Sequence, residues 1–301
     1  MFPERGKNAM LLYNIAAGEK EELAVGSVKE GTCCILSHNG LPFDDMNQLI
    51  DRSCPELQQK LNDVRLHGTV VPLQSVRICA PIPHPRQDVI CLGINYYSHA
   101  EEAAKFSEGD FGGERPATIY FSKRCTTAPG PDDPIPAYEN LTNSLDYECE
   151  LAVIVGKTAN AVLPEEALDY VFGYTVFNDV SARDLQTRHR QWYLGKSLDG
   201  FCPMGPCIAT AEEIPDPQVL SISCRVNGEL RQNSNTSLMI QTVAGAISEL
   251  SRGMTLLPGT MIAMGTPAGV GMGMKPPRFL HRGDVVECTI EKIGTLRNPV
   301  G

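Results

Sequence analysis

Two carboxylates set two residues apart, Glu148 and Glu150, stand at the head of the stretch 145–157, LDYECELAVIVGK. Alternate side chains of a strand share a face, so these carboxylates would project side by side. The apolar run 151–155 then reads as the buried continuation of the same strand. Anions held together at the edge of a core repel each other, and the strain is relieved by protonating one or by placing a cation between them. A third carboxylate, Asp179, follows the apolar strand expected at 171–176, in the segment NDVSARDLQ. Facing the pair from a neighbouring strand, it would complete an oxygen-rich, six-coordinate site for Mg2+ or Mn2+, with Ca2+ the flexible alternative. Spacing alone does not bring the three together, and a solvent-facing Glu pair on an edge strand is the plainer reading.

Other residue types suited to chemistry lie on either side. On the helical stretch 95–104, with Ser98 as a cap, His99 and Glu102 are i,i+3 neighbours; a hydrogen bond between them would fix the imidazole tautomer and raise its basicity. Lys196, flanked by Gly195 and Ser197, can bind a substrate carboxylate or support an enolate, although lysines are more often on the surface. In GTPAGVG, Gly265 lets a backbone amide approach a ligand and the Thr266 hydroxyl can bind an oxyanion.

The elements that must position these groups form two units. Residues 10–72 alternate short apolar segments with turns and carry a helical pattern at 46–64, a small α+β unit with a packing or assembly role. His38 and His67 stand alone there and read as surface residues. Prolines at 81, 83 and 85 make 80–86 extended, which divides a small N-terminal domain, 1–75, from a larger one, 76–301. In the larger unit, strands are expected at 88–93, 117–123 and 221–226, the last turning through Asn227-Gly228 into 229–232. Residues 105–116 read as a glycine-rich loop and 126–136 as a rigid surface loop rich in proline. An amphipathic helix is expected at 237–251 and a final strand at 285–290.

Composition narrows the functional classes. The 301 residues are 42% hydrophobic and 21% charged, ordinary for a folded globular chain. A net charge of -10 argues against nucleic acid or an anionic membrane as partner. A small anionic substrate remains compatible, because a bound metal reverses the local sign. With no long apolar span and no apolar core in the N-terminal segment, a cytoplasmic location is expected. The 11 cysteines are odd in number, lack a CxxC pair and sit largely in apolar runs, so they read as reduced, packed thiols. Zinc at Cys202 and Cys207 would need a second pair that the spacing does not offer.

Taken in order, the segments GINYYSHAEE, DYECEL, NDVSARDLQ, GKSLDGFCPMGP, VNGELRQ and GTPAGVG resemble those of the fumarylacetoacetate hydrolase family over about 76–290, in its acylpyruvase and 2-hydroxyhepta-2,4-diene-1,7-dioate isomerase-like branch. The resemblance implies a β-rich α+β chain folded as a mixed β-sandwich roll, with the site at its rim and a homodimer as the assembly. It also implies a divalent metal, most often Mg2+, on Glu148, Glu150 and Asp179, and a water-activating dyad of His99 and Glu102 on a lid helix. Lys196 matches the lysine beside the metal, Thr266 the threonine that binds a substrate carboxylate, and Gln186 a substrate-contacting glutamine. Arg124 replaces the proline usual after Lys123, which leaves the part that Lys123 and Arg124 play in substrate binding open.

The implied activity is metal-dependent hydrolysis of a C–C bond in a β-diketo acid of acylpyruvate or fumarylpyruvate type, as in aromatic-compound catabolism, through an enolate that the cation stabilises. His99 would deprotonate the attacking water, Lys196 would support the negative charge, and a 2-oxo acid would leave. Decarboxylation of oxaloacetate-type acids and isomerisation of 2-hydroxy-diene-dioates use the same enolate; the presence of both His99 and Glu102 favours hydrolysis. A non-enzymatic metal scaffold serving a partner protein would have no turnover for EDTA to abolish.

Overall fold

The computed structural model describes residues 10–18, 20–99 and 117–301; Glu102 and the loop expected at 105–116 lie outside them. The chain is rich in strands, as expected. One sheet runs in the order Val70–Pro72, Thr32–Ile35, Lys20–Gly26, Leu11–Ala17, Met204–Thr210, Val171–Asn178, Cys149–Val155, Met261–Ala263, Val89–Gly93, Ile119–Lys123, with Arg77–Cys79 added on Leu11–Ala17. It is mixed: Met261–Ala263 lies parallel to Val89–Gly93 and antiparallel to Cys149–Val155. A second sheet of four strands, in the order Glu229–Asn235, Ser221–Val226, Val285–Ile290, Gly294–Pro299, packs on the first.

Cys149–Val155 is buried along its whole length. Leu151, Val153 and Val155 enter the core shared with Cys224, Cys288 and Ile290 of the second sheet. Ala152 and Ile154 face the opposite way, into a cluster with Met204, Ile208 and the helical residues Leu49, Leu57 and Leu61. A strand covered on both faces has no polar side to alternate with, which is why the sequence reads LAVIV. Each of its large side chains contributes about 1.5–3 kcal/mol of burial, and the strand end that carries Glu148 and Glu150 is thereby held rigid. The strands before residue 75 continue the same sheet, through the pairs Leu11 with Ala209 and Leu12 with Ile208.

Several elements depart from the sequence reading, each for a local reason. The helical pattern at 46–64 is two helices, Met46–Asp51 and Pro55–His67. Proline disfavours the helical region for the residue before it, and Cys54 is extended. The helix expected at 237–251 is only Val243–Ser251, capped by Thr242. Its intended first turn is pulled away because the N–H groups of Ile240 and Gln241 donate to the carbonyl and side-chain oxygens of Asn95. The proline-rich stretch 126–136 is a surface loop as expected, with Thr126, Thr127, Asp132 and Pro134 exposed, but it is anchored at Ala128 and Ile135, which are buried, and the Ile135 N–H donates to Pro299 O. Val285–Ile290 is not the last strand either, since Gly294–Pro299 folds back on it. The Asn227-Gly228 turn is as expected, with both residues at positive φ. His38 and His67 are exposed, and all the cysteines are free thiols, with only Cys54 exposed. No described helix is long and apolar enough to cross a membrane.

Candidate metal centre

Strand register supplies what spacing could not. Val171–Asn178 runs antiparallel to Cys149–Val155 with Phe177 opposite Glu150 and Asn178 opposite Cys149. Asp179 therefore lies across from Glu148, and its N–H donates to Glu148 O at 2.9 Å. Glu148, Glu150 and Asp179 each offer an oxygen within 4.8 Å of the others, and all three side chains are buried. They are not the solvent-facing pair of the plainer reading.

Buried carboxylates need cations, and three surround them. Lys196, 2% exposed, donates to Glu148 Oε2 and Asp179 Oδ2, both at 2.7 Å. Lys123, at the end of Ile119–Lys123, donates to Asp179 Oδ1 at 2.6 Å and to Val180 O at 2.7 Å. Arg183 places Nη2 2.6 Å from Glu148 Oε1 and donates from Nε to Asp146 Oδ2 at 2.9 Å. Asp146 also accepts from the N–H groups of Gly271 and Met272, at 2.7 and 3.0 Å, and so ties the end of the glycine-rich loop to Arg183.

Four carboxylates thus meet three cations, an excess of one negative charge when all are ionised. A divalent ion would convert it to an excess of one positive charge, suited to an anionic ligand. The imbalance falls on Glu150. Burial, then the charges of Asp179 and Glu148, push its carboxyl well above the ordinary range. Burial pulls Glu148 the same way but is outweighed by Arg183 and Lys196, which hold its carboxyl well below that range. Burial also opposes the Lys196 ammonium, yet Asp179 and Glu148 override it and keep the charge on. Three converging, oxygen-only donors with an uncompensated negative charge fit a hard divalent cation such as Mg2+ or Mn2+. Cys202 and Cys207 instead point their thiols at the carbonyls of Arg124 and Ile293.

His99, Gln186 and Thr266 line a cleft beside the triad. The Thr266 hydroxyl donates to Cys149 O at 2.9 Å and accepts from Gln232 Nε2 at 2.8 Å. Gln186 lines the cleft and accepts from Arg183 Nη1 at 3.0 Å. His99 is buried in the cleft wall. The Gly265 N–H donates to Glu150 Oε2 at 2.8 Å. Gly265 has φ +82°, and a Cβ there would meet Asn95 Cβ at 2.7 Å. Gly265→Ala is accordingly expected to cost about 1–3 kcal/mol from left-handed backbone strain, and more from the clash, and to weaken cation binding; denaturant midpoints with and without Mg2+ would measure both.

Lys123, Arg183, Asp146 and Gln232 are the site residues that the sequence reading did not single out for these roles. Their one signal is indirect: a cluster of buried carboxylates predicts cations nearby without saying which.

Comparison with known proteins agrees with this geometry. The model of the fumarylacetoacetate (FAA) hydrolase C-terminal family matches residues 88–301. The chain is 46% identical over 250 residues to the oxaloacetate tautomerase YisK of Bacillus subtilis, covering 83% of this chain and 81% of the relative. It is 40% identical over 257 residues to the mitochondrial oxaloacetate tautomerase fahd2 of Xenopus laevis, covering 85% and 78%. Among solved structures, a fumarylacetoacetate hydrolase from psychrophilic Exiguobacterium antarcticum superposes with a TM-score of 0.81 at 40% identity, covering 97% of this chain and 99% of the other.

Proposed function

Because the chain belongs to the fumarylacetoacetate hydrolase family, we propose that it interconverts the enol and keto forms of a small 2-oxo dicarboxylic acid, oxaloacetate first among them. The observation that carries this reading is the buried triad of Glu148, Glu150 and Asp179, with Lys196 bridging two of its members. These carboxylates would hold Mg2+ or Mn2+, which supplies Lewis acidity toward the oxo group when bound.

The chain's own residues account for the rest. The Lys196 ammonium, held charged in a buried site, stabilises the negative charge that develops as a proton leaves C3 of the acid. His99, on the cleft wall, takes that proton and returns one. Thr266 lines the cleft, and its hydroxyl would donate to a substrate carboxylate by turning away from Cys149 O, which accepts it in this structure. Leu92, Phe121 and Trp192 form a wall that keeps water from the reacting carbon. Tautomerisation moves a proton and needs no attacking water. Hydrolysis of a β-diketo acid is the second reading, favoured by the placement of His99, the base such a reaction requires. The same proposal includes a homodimer, which sedimentation velocity would test.

The deciding experiment is a turnover screen of enol-oxaloacetate, an acylpyruvate and a 2-hydroxy-dienedioate with Mg2+ and with Mn2+. Ketonisation of enol-oxaloacetate is expected to be the fastest reaction; cleavage of the acylpyruvate alone would replace the first reading with the second. His99→Ala should lower the principal rate by about 10²–10⁴-fold while Mg2+ affinity, followed by calorimetry, changes little.

A further inference from the structure

We propose that Trp192 is the specificity-determining residue of the cleft, its indole setting the longest 2-oxo acid that the site admits; the inference rests on the function proposed above. Trp192 precedes the short helix Tyr193–Lys196, and its carbonyl accepts from the Lys196 N–H at 3.1 Å. Residues four apart on one helical turn project to the same side, so the indole and the ammonium face the cleft together. Phe121 lies between them: its ring centroid is 5.2 Å from that of Trp192, edge to face, and 5.3 Å from Lys196 Nζ. An acid whose oxo end rests at Lys196 and the triad therefore meets the indole one aromatic ring further along.

The indole has little freedom to retreat. A Cβ at Gly93 would stand 2.6 Å from Trp192 Cζ3 and 2.9 Å from Cη2, so the ring lies directly on the backbone of Val89–Gly93. Gly195 serves the same end, because a Cβ there would come 2.4 Å from Gln186 N and lift the helix off its neighbour, Arg183–Arg188. Backbone on one side and Phe121 on the other make the wall rigid.

The test uses unbranched 2-oxo dicarboxylic acids of four, five and six carbons, with Mg2+ present throughout. In the unaltered protein, kcat/KM is expected to fall at least about tenfold with each added methylene, the scale on which an apolar pocket discriminates. Trp192→Phe and Trp192→Ala should progressively flatten that series. Gly93→Ala, which drives the ring off its seat, should change the series in the unaltered indole's presence. Trp192 is the only tryptophan in the chain, so its emission should shift on binding of the four-carbon acid, a readout independent of turnover. A length series that is the same in the Trp192 variants, or acid binding seen by calorimetry with unchanged emission, overturns the inference. Absence of both binding and turnover for all three acids overturns the proposed function and this inference with it.

Discussion

Glu150→Gln is expected to abolish measurable Mg2+ and Mn2+ binding in a calorimetric titration and to lower activity by about 10³-fold, the rate equivalent of several kcal/mol of lost Lewis-acid stabilisation. The same substitution should leave the cation-free protein as stable as before, or more so. Burial and the neighbouring charges of Asp179 and Glu148 push the Glu150 carboxyl well above its ordinary range, so the native state retains a proton that the unfolded chain has already released. A raised carboxyl contributes stability below its unfolded value and loses it as pH rises toward the folded one. In EDTA, the unaltered protein should therefore lose stability as pH climbs out of the ordinary glutamate range, and Glu150→Gln should lose less. Added Mg2+ should reverse the trend for the unaltered protein only. Retained cation binding by the Gln variant would remove the triad from the centre of the function.

Lys196→Met should act in the opposite sense on stability. Its ammonium is the shared partner of Glu148 and Asp179 and is nearly inaccessible to water. Deleting one partner of a buried ion pair leaves the others uncompensated, at a cost of about 3–5 kcal/mol, which chemical denaturation in EDTA would read. Because a divalent ion can take over part of the missing positive charge, Mg2+ should stabilise this variant more than it stabilises the unaltered protein. Activity should still fall by about 10²–10³-fold, since the metal cannot stand where the ammonium meets the developing enolate. A variant equally stable with and without Mg2+ but inactive would confine Lys196 to a catalytic role; one fully active would exclude that role.

The two effects show which features of the chain are local and which are not. Glu148 and Glu150 were legible because strand periodicity acts over two residues, and Asp179 because a strand end is marked by the change from apolar to polar. The family resemblance then gathered them with His99 and Lys196. Pairings between distant segments had no comparable signal. Lys123 reaches Asp179 across a separation of 56 residues and Arg183 reaches Asp146 across 37, and no sequence pattern announces either. The misplaced start of Val243–Ser251 has the same origin, since the group that competes for its intended first turn is Asn95, 146 residues away from Gln241. The anchoring of Ile135 within 126–136 also depends on a distant partner, the strand Gly294–Pro299. Proline content predicted a rigid loop but not the neighbour that anchors it.

Asp146 has a consequence for how such a chain can change. One of its oxygens accepts from Gly271 and the other from both Met272 and Arg183, so the wall of the cleft and the charge balance at Glu148 share a single carboxylate. A Cβ at Gly271 would come within 2.7 Å of that carboxylate and 2.4 Å of Arg278 O. Substitutions at 271 and at 183 are thus expected to be non-additive in a double-mutant cycle even though the two residues lie far apart in sequence, because each alters the acceptor the other depends on. A lineage that reshapes the loop to admit a new acid must re-tune its guanidinium in the same step.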